Sequence, residues 1–313
     1  MQTLIVKLGA TGDVVRTTPL LRKLRGNVAW LTDQRNKVLL DGLSSRVQSF
    51  SWEERESLPR GGYDLVINLE DTLEVARFLQ RFQSEKWFGA YATGGGEVHY
   101  TIDSRGWFDL SLISCYGREE ADRLKYRNRS SYQGLIFDGL GFAFDGETYL
   151  LPAPKKTELR GDVALATEAG SVWPMKNWAY YHDLKRRLEG EGLIVNILPA
   201  RGSLLEHLAD VCNHRCLVSG DSLPMHFALG TATPCVTLFN CTSPWEIYDY
   251  GVQKKLISPL LGEFFYQRGY DPRATMALKF PAVLETVKES LALARETRIK
   301  IANEGDGVAH FAI

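Results

Sequence analysis

Three short segments of the chain combine turn-forming glycines with charged side chains. The first is KLGATGDVVRTTP, residues 7–19, where Gly9 and Gly12 permit a sharp turn or a close approach of the backbone to a ligand. Asp13 follows this turn and is predicted to lie at or near the start of a helix. Its carboxylate could act as a general base that removes a proton from a hydroxyl group. It could equally well serve only as a helix cap.

The second segment is GSVWPMKNWAYY, residues 170–181, which follows the apolar run DVALAT. Lys176 lies here between Trp173 and Trp178. Its ammonium group could neutralise the negative charge that develops on a departing diphosphate. The alternative is a surface lysine whose stem covers apolar area while its charge stays in water.

The third segment is CLVSGDSLPMHFALG, residues 216–230. The apolar strand pattern CLVSG ends at Gly220 and is followed by polar residues. Asp221 or Ser222 can cap the next helix, and Pro224 suits the first turn of that helix. The free amide groups and partial positive charge of such a helix start suit a pyrophosphate group. His226 lies one turn further along and could add a hydrogen-bond donor.

Two other enzyme classes fit these residues less well. The side chains of Asp221, Ser222 and His226 are too close in sequence to form a hydrolytic triad readily, and the chain has no GxSxG motif. Neither half of the chain carries the GxGxxG fingerprint of dinucleotide-dependent dehydrogenases. The sequence therefore favours a site that binds a diphosphate over these two chemistries.

A metal site is not indicated by the sequence. Cys212, His214 and Cys216 resemble a zinc-ligand cluster, but without a second pair of ligands they are better interpreted as buried thiols at a helix end and a strand start. No DxD triplet is present that could hold Mg²⁺ or Mn²⁺ against a diphosphate. We therefore expect no metal and no cofactor, and assign the stabilisation of the leaving group to Lys176 and a helix dipole.

The composition is that of a globular protein with two domains, since 313 residues exceed one ordinary core. The formal net charge of -1 argues against nucleic acid as a partner, because neutralising phosphates requires a basic surface. The five cysteines are odd in number and suggest free thiols in a reducing compartment. The apolar opening MQTLIVKLG is interrupted by Lys7, and no apolar run reaches 18 residues, so we expect a cytoplasmic protein.

Strand-like and helix-like patterns alternate along the chain, which predicts an α/β fold with parallel sheets and right-handed crossovers. The first half has strand patterns at 3–8, 28–32, 47–52 and 64–69 and helical patterns at 34–43, 72–83 and 108–141. Residues 92–106 are glycine-rich and indicate a loop, and residues 150–162 have the composition of a linker. The second half has strand patterns at 162–167, 193–199, 216–220 and 234–240 and helical patterns at 177–189, 203–213, 222–230 and 281–302.

Taken in order, the three segments resemble the ADP-heptose:lipopolysaccharide heptosyltransferase family, which is glycosyltransferase family 9. KLGATGDVVRTTPLLRKLR is similar to the family's opening, WPMKNW to its central donor motif, and SGDSLPMHFALGTATPCVTLFNCTSPWEIYDYG to its donor-binding signature. The resemblance covers nearly the whole chain. It implies a GT-B fold of two Rossmann-like domains facing across a cleft, with acceptor-binding residues 1–155, donor-binding residues 156–280, and a C-terminal helix and tail at 281–313 that could cross back to the first domain.

The resemblance also implies roles for individual residues. Asp13 would be the general base and Lys176 would contact the donor phosphates. The positions that would bind or border the donor are Gly12, Ser171, Val172, Gly202, Asp221, Ser222, Leu223 and His226. The implied reaction is an inverting, metal-independent single displacement that moves a heptose from ADP-heptose to a hydroxyl group of a saccharide acceptor, such as lipopolysaccharide core or a related glycan.

Several positions depart from the family's pattern and keep other functions open. Leu223 and Asn240 stand where the family has glycines, and Val172 lacks a hydroxyl group. The short segment 200–202 contains no counterpart of the family's ribose-binding glutamate. One alternative is therefore the same mechanism with a different nucleotide-sugar donor or with a small-molecule or protein acceptor. Another is a non-catalytic protein that binds a nucleotide or a glycan.

The acceptor side is specified by fewer residues. Glu70 and Asp71 follow a strand pattern and could bind acceptor hydroxyl groups, and Lys7 precedes the first glycine turn. Arg118 begins a basic stretch that could meet an anionic sugar, although such stretches are usually solvated faces. The expected partners are a nucleotide-sugar donor and a saccharide acceptor that could be lipid-linked, with at most peripheral contact with the inner membrane.

Overall fold

The computed structural model describes residues 1–111, 117–170 and 172–304, and it divides the chain into two compact units. The first unit comprises Met1–Pro152 together with Trp245–Tyr248. The second comprises Ala153–Pro244 and the chain from Asp249 onward. The boundary at Pro152 lies within the segment predicted as a linker. The return of Trp245–Tyr248 to the first unit was not part of the predicted division.

The first unit is built on a six-stranded sheet in the order β3-β2-β1-β4-β5-β6. All neighbouring strands are parallel except β6, which runs antiparallel to β5. The strands are β1 Gln2–Val6, β2 Asn27–Thr32, β3 Val47–Ser51, β4 Tyr63–Asn68, β5 Ser84–Ala92 and β6 Val98–Tyr100. The helices are α1 Thr11–Thr17, α2 Leu20–Lys23, α3 Leu73–Leu79, α4 Arg105–Ser111, α5 Arg118–Arg127 and α6 Tyr132–Leu140, with short 3-10 helices at Gln34–Leu39, Arg55–Ser57 and Ile102–Ser104.

The residues of β1 alternate between two apolar layers, as expected for a strand that is covered on both faces. Ile5 belongs to a core cluster with Trp107 and Tyr132, which come from α4 and α6. Leu4 and Val6 belong to a second cluster that includes residues of α3. This packing fixes the loops that leave the carboxyl ends of β1 and β4.

One local prediction for the first unit differs from the structure. The segment 92–106 was predicted as a loop, but it includes β6, whose residues pair with Ala90–Ala92 of β5. The helix that includes Asp13 ends before Pro19, and the chain continues as α2, because proline cannot donate the backbone hydrogen bond that a continuous helix needs. Asp13 is the third residue of α1, as the sequence predicts.

The second unit is built on a five-stranded, fully parallel sheet in the order β11-β10-β9-β7-β8. The strands are β7 Gly161–Ala166, β8 Val195–Ile197, β9 His214–Gly220, β10 Cys235–Phe239 and β11 Gln253–Ile257. The helices are α7 Tyr181–Glu189, α8 Leu204–Cys212, α9 Leu223–Gly230, α10 Leu261–Phe264, α11 Pro272–Met276 and α12 Phe280–Glu304, with a 3-10 helix at Pro174–Lys176. The prediction of an α/β fold with two largely parallel sheets is confirmed.

The C-terminal helix α12 belongs to the second unit. Its side chains Val283, Val287 and Leu291 join a core cluster with Val218 of β9 and Val236 of β10. These side chains cover the second sheet. The expectation that the helix crosses back to the first domain stays a prediction. Within the described residues, no helix is both long enough and apolar enough to cross a membrane.

Candidate active site

Each sheet has one switch point, which is the place where successive connections between strands leave in opposite directions. Ligands of such sheets bind at the carboxyl ends of the strands beside the switch point. In the first unit this point lies between β1 and β4, which are neighbours in the sheet. In the second unit it lies between β7 and β9. The loops that follow these four strands carry most of the residues that the sequence singled out.

Lys7 and Glu70 tie together the loops after β1 and β4. Lys7 is only 1% exposed, and its Nζ donates a hydrogen bond of 2.8 Å to Glu70 Oε1. The backbone amide of Leu8 donates to the same oxygen at 2.8 Å. Two of the predicted acceptor-binding residues, Lys7 and Glu70, therefore lie at the switch point. Their contact with each other fixes the loop that leads to α1.

Asp13 lies in the first turn of α1, and its carboxylate Oδ1 is 2.8 Å from Nη2 of Arg16. The N-cap of α1 is Ala10, so the alternative role of Asp13 as the cap is not observed. The side chains of Asp13 and Arg16 are 23% and 12% exposed. The carboxylate is thus partly accessible and is oriented by a cation one turn further along the helix. Gly12 is the preceding residue of α1 and is half-buried.

Arg16 is itself held by two residues that sequence reasoning missed. Its guanidinium group lies over the ring of Tyr132 at 3.8 Å from the centroid, and its Nη1 lies 4.0 Å from Glu246 Oε2. The backbone amide of Tyr132 donates to the carbonyl of Glu246 at 2.9 Å. Burial raises the pKa of the Tyr132 phenol, and the charge of Asp13 adds to this rise. The spacing of three residues between Asp13 and Arg16 indicates a contact on one helix face. Tyr132 and Glu246 are too distant in sequence for any local pattern to indicate their contacts with Arg16.

Two further predicted acceptor residues have different surroundings. Asp71 is half-buried, and burial raises its pKa, with a smaller rise from the neighbouring charge of Glu70. Arg118 is the first residue of α5 and is exposed to solvent. The structure thus places Asp71 at the switch point, next to Glu70, and leaves Arg118 on a solvated helix.

Lys176 and Asp221 meet at the switch point of the second unit. Nζ of Lys176 donates hydrogen bonds to the backbone carbonyl of Asp221 at 2.6 Å and to its carboxylate Oδ2 at 3.1 Å. The two side chains are 14% and 17% exposed. Lys176 is therefore not the solvated surface residue that the alternative interpretation required.

Gly220 allows this approach of the loop after β7 to the end of β9. A Cβ atom added at Gly220 would lie 2.8 Å from the backbone carbonyl oxygen of Lys176, closer than real Cβ atoms come to other atoms. The absence of a side chain at the last position of β9 is therefore what lets Lys176 lie beside Asp221.

The start of α9 directly follows this pair. Ser222 is the N-cap in extended conformation, and its side chain makes no capping hydrogen bond. Leu223 begins the helix and Pro224 follows it, as predicted. His226 lies one turn further along and is only 5% exposed. The helix start thus contributes the positive end of its dipole beside the Lys176 ammonium group.

Among the described residues, the structure shows no contact that would assign a role to three other predicted donor-binding positions. Val172 is exposed, and Ser171 lies outside the described residues. Gly202 is exposed and has no atom within 4 Å of where a Cβ would be. Next to it, Arg201 makes two hydrogen bonds, of 2.7 and 3.0 Å, to the fully buried carboxylate of Asp210. The short segment near residue 201 is therefore anchored to α8.

The residues that resembled a zinc cluster have other partners. Nδ1 of His214 is 2.6 Å from the carbonyl oxygen of Asp210, and its Nε2 is 3.0 Å from Nδ2 of Asn196. Cys212 and Cys216 are free thiols whose pKa values are raised by burial. Across the described residues, no three side chains of His, Cys, Asp or Glu are grouped to hold a metal ion.

The comparisons with solved structures identify the fold. The chain matches E. coli heptosyltransferase WaaC with ADP-2-deoxy-2-fluoro heptose at a TM-score of 0.60 and 15% sequence identity, over 92% of this chain and 99% of the other. It matches a family 9 glycosyl transferase from Veillonella parvula at a TM-score of 0.65 and 13% identity, over 93% and 97% of the two chains. The chain has the fold of these glycosyltransferases.

A third structure with the heptosyltransferase fold extends this likeness. E. coli ADP-heptose lps heptosyltransferase II matches at a TM-score of 0.59 and 14% identity, over 94% of this chain and 100% of the other. No protein-family model matches the sequence, and no curated protein matches it significantly. At these sequence identities, the structural likeness shows the fold and not the activity.

Proposed function

We propose that this protein is an inverting, metal-independent glycosyltransferase that transfers a heptose from ADP-heptose to a hydroxyl group of a saccharide acceptor. The observation that carries the proposal is the contact between Lys176 and Asp221 at the switch point of the second sheet. It places an ammonium group, paired with the Asp221 carboxylate, beside the start of α9, where a diphosphate would meet a cationic hydrogen-bond donor and a helix dipole.

The leaving group of the proposed reaction is ADP, which gains negative charge as the glycosidic bond breaks. Lys176 is fixed by two hydrogen bonds to Asp221, so its charge is oriented before the reaction begins. Preorganised charge of this kind stabilises a transition state without the cost of rearrangement during the reaction. The cation and the helix start supply the stabilisation that a divalent metal ion supplies in other transferases.

The first unit contributes the base in this proposal. The acceptor hydroxyl oxygen forms a bond with the anomeric carbon as the bond to the diphosphate oxygen breaks, and the hydroxyl proton passes to the Asp13 carboxylate. One such displacement inverts the configuration of the anomeric carbon. The contact with Arg16 orients the carboxylate, and the 23% exposed fraction of Asp13 leaves it reachable by an acceptor.

The donor assignment is supported by the likeness to structures solved with ADP-linked sugars. E. coli heptosyltransferase WaaC was solved with ADP-2-deoxy-2-fluoro heptose. A second candidate is the same reaction with another nucleotide sugar. Arg201 favours it, because the segment where the family has a ribose-binding glutamate is instead tied to Asp210.

The acceptor in this proposal is a saccharide such as lipopolysaccharide core or a related glycan, which could be lipid-linked. The reaction would take place in the cytoplasm, with at most peripheral contact with the inner membrane. Asp71 and Glu70 at the first switch point would accept hydrogen bonds from acceptor hydroxyl groups.

A ligand panel and a product assay test the proposal. Thermal unfolding would be measured with ADP, ADP-heptose, UDP-glucose and GDP-mannose, because a ligand that binds the folded state raises Tm by mass action. Transfer would be followed by mass spectrometry with a truncated lipopolysaccharide acceptor, with and without EDTA. We expect ADP-heptose to give the largest shift and EDTA to leave transfer unchanged. Binding of a nucleotide sugar without ADP release or transfer would support the non-catalytic alternative, and loss of transfer in EDTA would contradict metal independence.

A further inference from the structure

Three polar side chains that follow β10 are buried and lack hydrogen-bond partners. The exposed fractions of Asn240, Thr242 and Ser243 are 0%, 1% and 2%. Among the described residues, no partner is found for Nδ2 and Oδ1 of Asn240, Oγ1 of Thr242 or Oγ of Ser243. Native proteins pair nearly all buried polar atoms, because an unpaired one has lost its water without compensation. Four such atoms within four consecutive residues point to a polar group that the chain itself does not supply.

The position of this segment places it beside the predicted diphosphate site. In the sheet, Leu238 of β10 pairs with Gly220 of β9. Asn240 and Asp221 therefore leave the same edge of the sheet, from adjacent strands. Burial raises the pKa of the Cys241 thiol to about 11. The charges of Lys176 and Asp221 also influence this pKa. The segment thus lies within electrostatic reach of the Lys176–Asp221 pair.

Both ends of the segment are anchored within the second unit. The backbone amide of Tyr266 donates to the carbonyl of Cys241 at 2.7 Å. Nζ of Lys255 donates to the carbonyl of Pro244 at 2.8 Å. These bonds hold the main chain, while the polar side-chain atoms of Asn240, Thr242 and Ser243 lack hydrogen-bond partners among the described residues. The unpaired atoms raise the free energy of this enclosed arrangement, so binding of a group that pairs them would be favoured.

The chemistry of the segment discriminates between possible ligands. A phosphate group presents only acceptors, so it could pair Nδ2 of Asn240 and the two hydroxyl groups but would leave Oδ1 of Asn240 without a donor. A sugar hydroxyl group both donates and accepts, and the amide of Asn240 with the hydroxyls of Thr242 and Ser243 offers both functions. A polyhydroxylated group therefore fits the segment better than a second phosphate does.

We propose that Asn240, Thr242 and Ser243 form the subsite that recognises hydroxyl groups of the donor's glycosyl group, and that their side chains reorient toward this group when the donor binds. The inference rests on the proposed function, since it takes a nucleotide sugar as the ligand. It adds residues that set sugar specificity beside those that hold the diphosphate.

Thr242→Val is the main test, because valine has nearly the same shape and removes only the hydroxyl function. Calorimetric affinities would be measured for ADP, ADP-heptose, UDP, UDP-glucose, GDP and GDP-mannose. For the nucleotide sugar that binds most tightly, we expect the Kd to rise by about five- to tenfold, the effect of losing one hydrogen bond, while the Kd of its nucleoside diphosphate stays unchanged. Ser243→Ala should behave alike.

Thr237→Val is a matched control on β10. Thr237 is as buried as Thr242, but its Oγ1 accepts a hydrogen bond of 2.8 Å from Nε2 of Gln253. The control should lower Tm and leave both affinities unchanged. The ligand-free Thr242→Val protein should instead keep or raise Tm, by about 2 °C, because its hydroxyl had no partner to lose.

The outcomes separate this inference from the proposed function. Equal changes in the affinities for the nucleotide sugar and for its nucleoside diphosphate, or no change in either, would overturn the inference and leave the proposed function standing. A parent protein that binds no nucleotide or nucleotide sugar would overturn both. A selective loss of sugar-nucleotide affinity in Thr242→Val and Ser243→Ala, with an unaffected Thr237→Val, would establish the subsite.

Discussion

Arg16 fixes the orientation of Asp13 from one helical turn away, with a distance of 2.8 Å between Nη2 and Oδ1. The guanidinium group can do so because it is itself stacked on Tyr132 and lies near Glu246. A planar cation with several donors can hold one carboxylate while it contacts an aromatic ring and a second carboxylate. The candidate base therefore belongs to an ordered group of four side chains within the first unit.

The substitution Asp13→Asn tests the base directly. Asparagine keeps the shape and cannot accept the acceptor's proton, so we expect kcat to fall by about 10²- to 10⁴-fold. Tm should change little, because Arg16 keeps its contacts with Tyr132 and Glu246. The measurement is steady-state transfer beside thermal unfolding, with Asp138→Asn on the exposed side of α6 as the control. Near-full turnover by Asp13→Asn would contradict the assignment.

Arg16→Lys separates a positioning role from a purely structural one. Lysine keeps the positive charge but cannot lie flat on Tyr132 while it orients Asp13. We expect kcat to fall by about tenfold or more because the base is misplaced, while KM for the donor stays unchanged. Transfer would be measured well below Tm, where the variant is folded. A lower Tm with an unchanged kcat would show that Arg16 serves the fold alone.

The sequence predicted the parts of the fold and site that are set by local patterns. The two parallel sheets, the helix start at Asp13 and the turn before Pro224 follow from strand periodicity, glycine placement and helix-start chemistry. The contacts of Arg16 with Tyr132 and Glu246 join residues more than a hundred positions apart, and no local pattern encodes such a pairing. For the same reason the return of Trp245–Tyr248 to the first unit could not be foreseen, since it depends on what these residues contact and not on their own periodicity.

Breaking the pair of Lys7 and Glu70 should be strongly destabilising, because the lysine is buried. Lys7→Met leaves the Glu70 carboxylate without its cation, so we expect a loss of about 3–5 kcal/mol in the free energy of unfolding. The double variant Lys7→Met/Glu70→Gln should recover part of this loss. Urea denaturation measures both values. The exposed pair of Arg160 and Glu158 is the control, and Arg160→Met should change stability little. A neutral effect of Lys7→Met would contradict the expectation that the Glu70 carboxylate needs its buried cation.

Gly220→Ala should weaken diphosphate binding although it removes no functional group. The new Cβ would displace the backbone carbonyl of Lys176 and so shift the ammonium group away from Asp221. We expect the Kd of ADP to rise in the same direction as for Lys176→Ala, where loss of a charged hydrogen-bond donor should cost about 10- to 100-fold. Gly269→Ala, at an exposed position with no atom nearby, is the control. Unchanged ADP binding by Gly220→Ala would mean that the position of Lys176 is not critical.

Asp71 should make stability depend on pH in the acid range. Burial raises its pKa and the charge of Glu70 raises it further, while Lys7 and Tyr100 act in the opposite direction. An acid with a higher pKa in the folded state binds its proton more tightly there, so stability falls as pH rises above the unfolded pKa of about 3.9. Asp71→Asn removes this loss. We expect it to raise the free energy of unfolding near neutral pH and to lose that advantage below the unfolded pKa. Chemical denaturation across this range measures the difference, and an advantage that does not vary with pH would show that packing, rather than the charge of Asp71, is responsible.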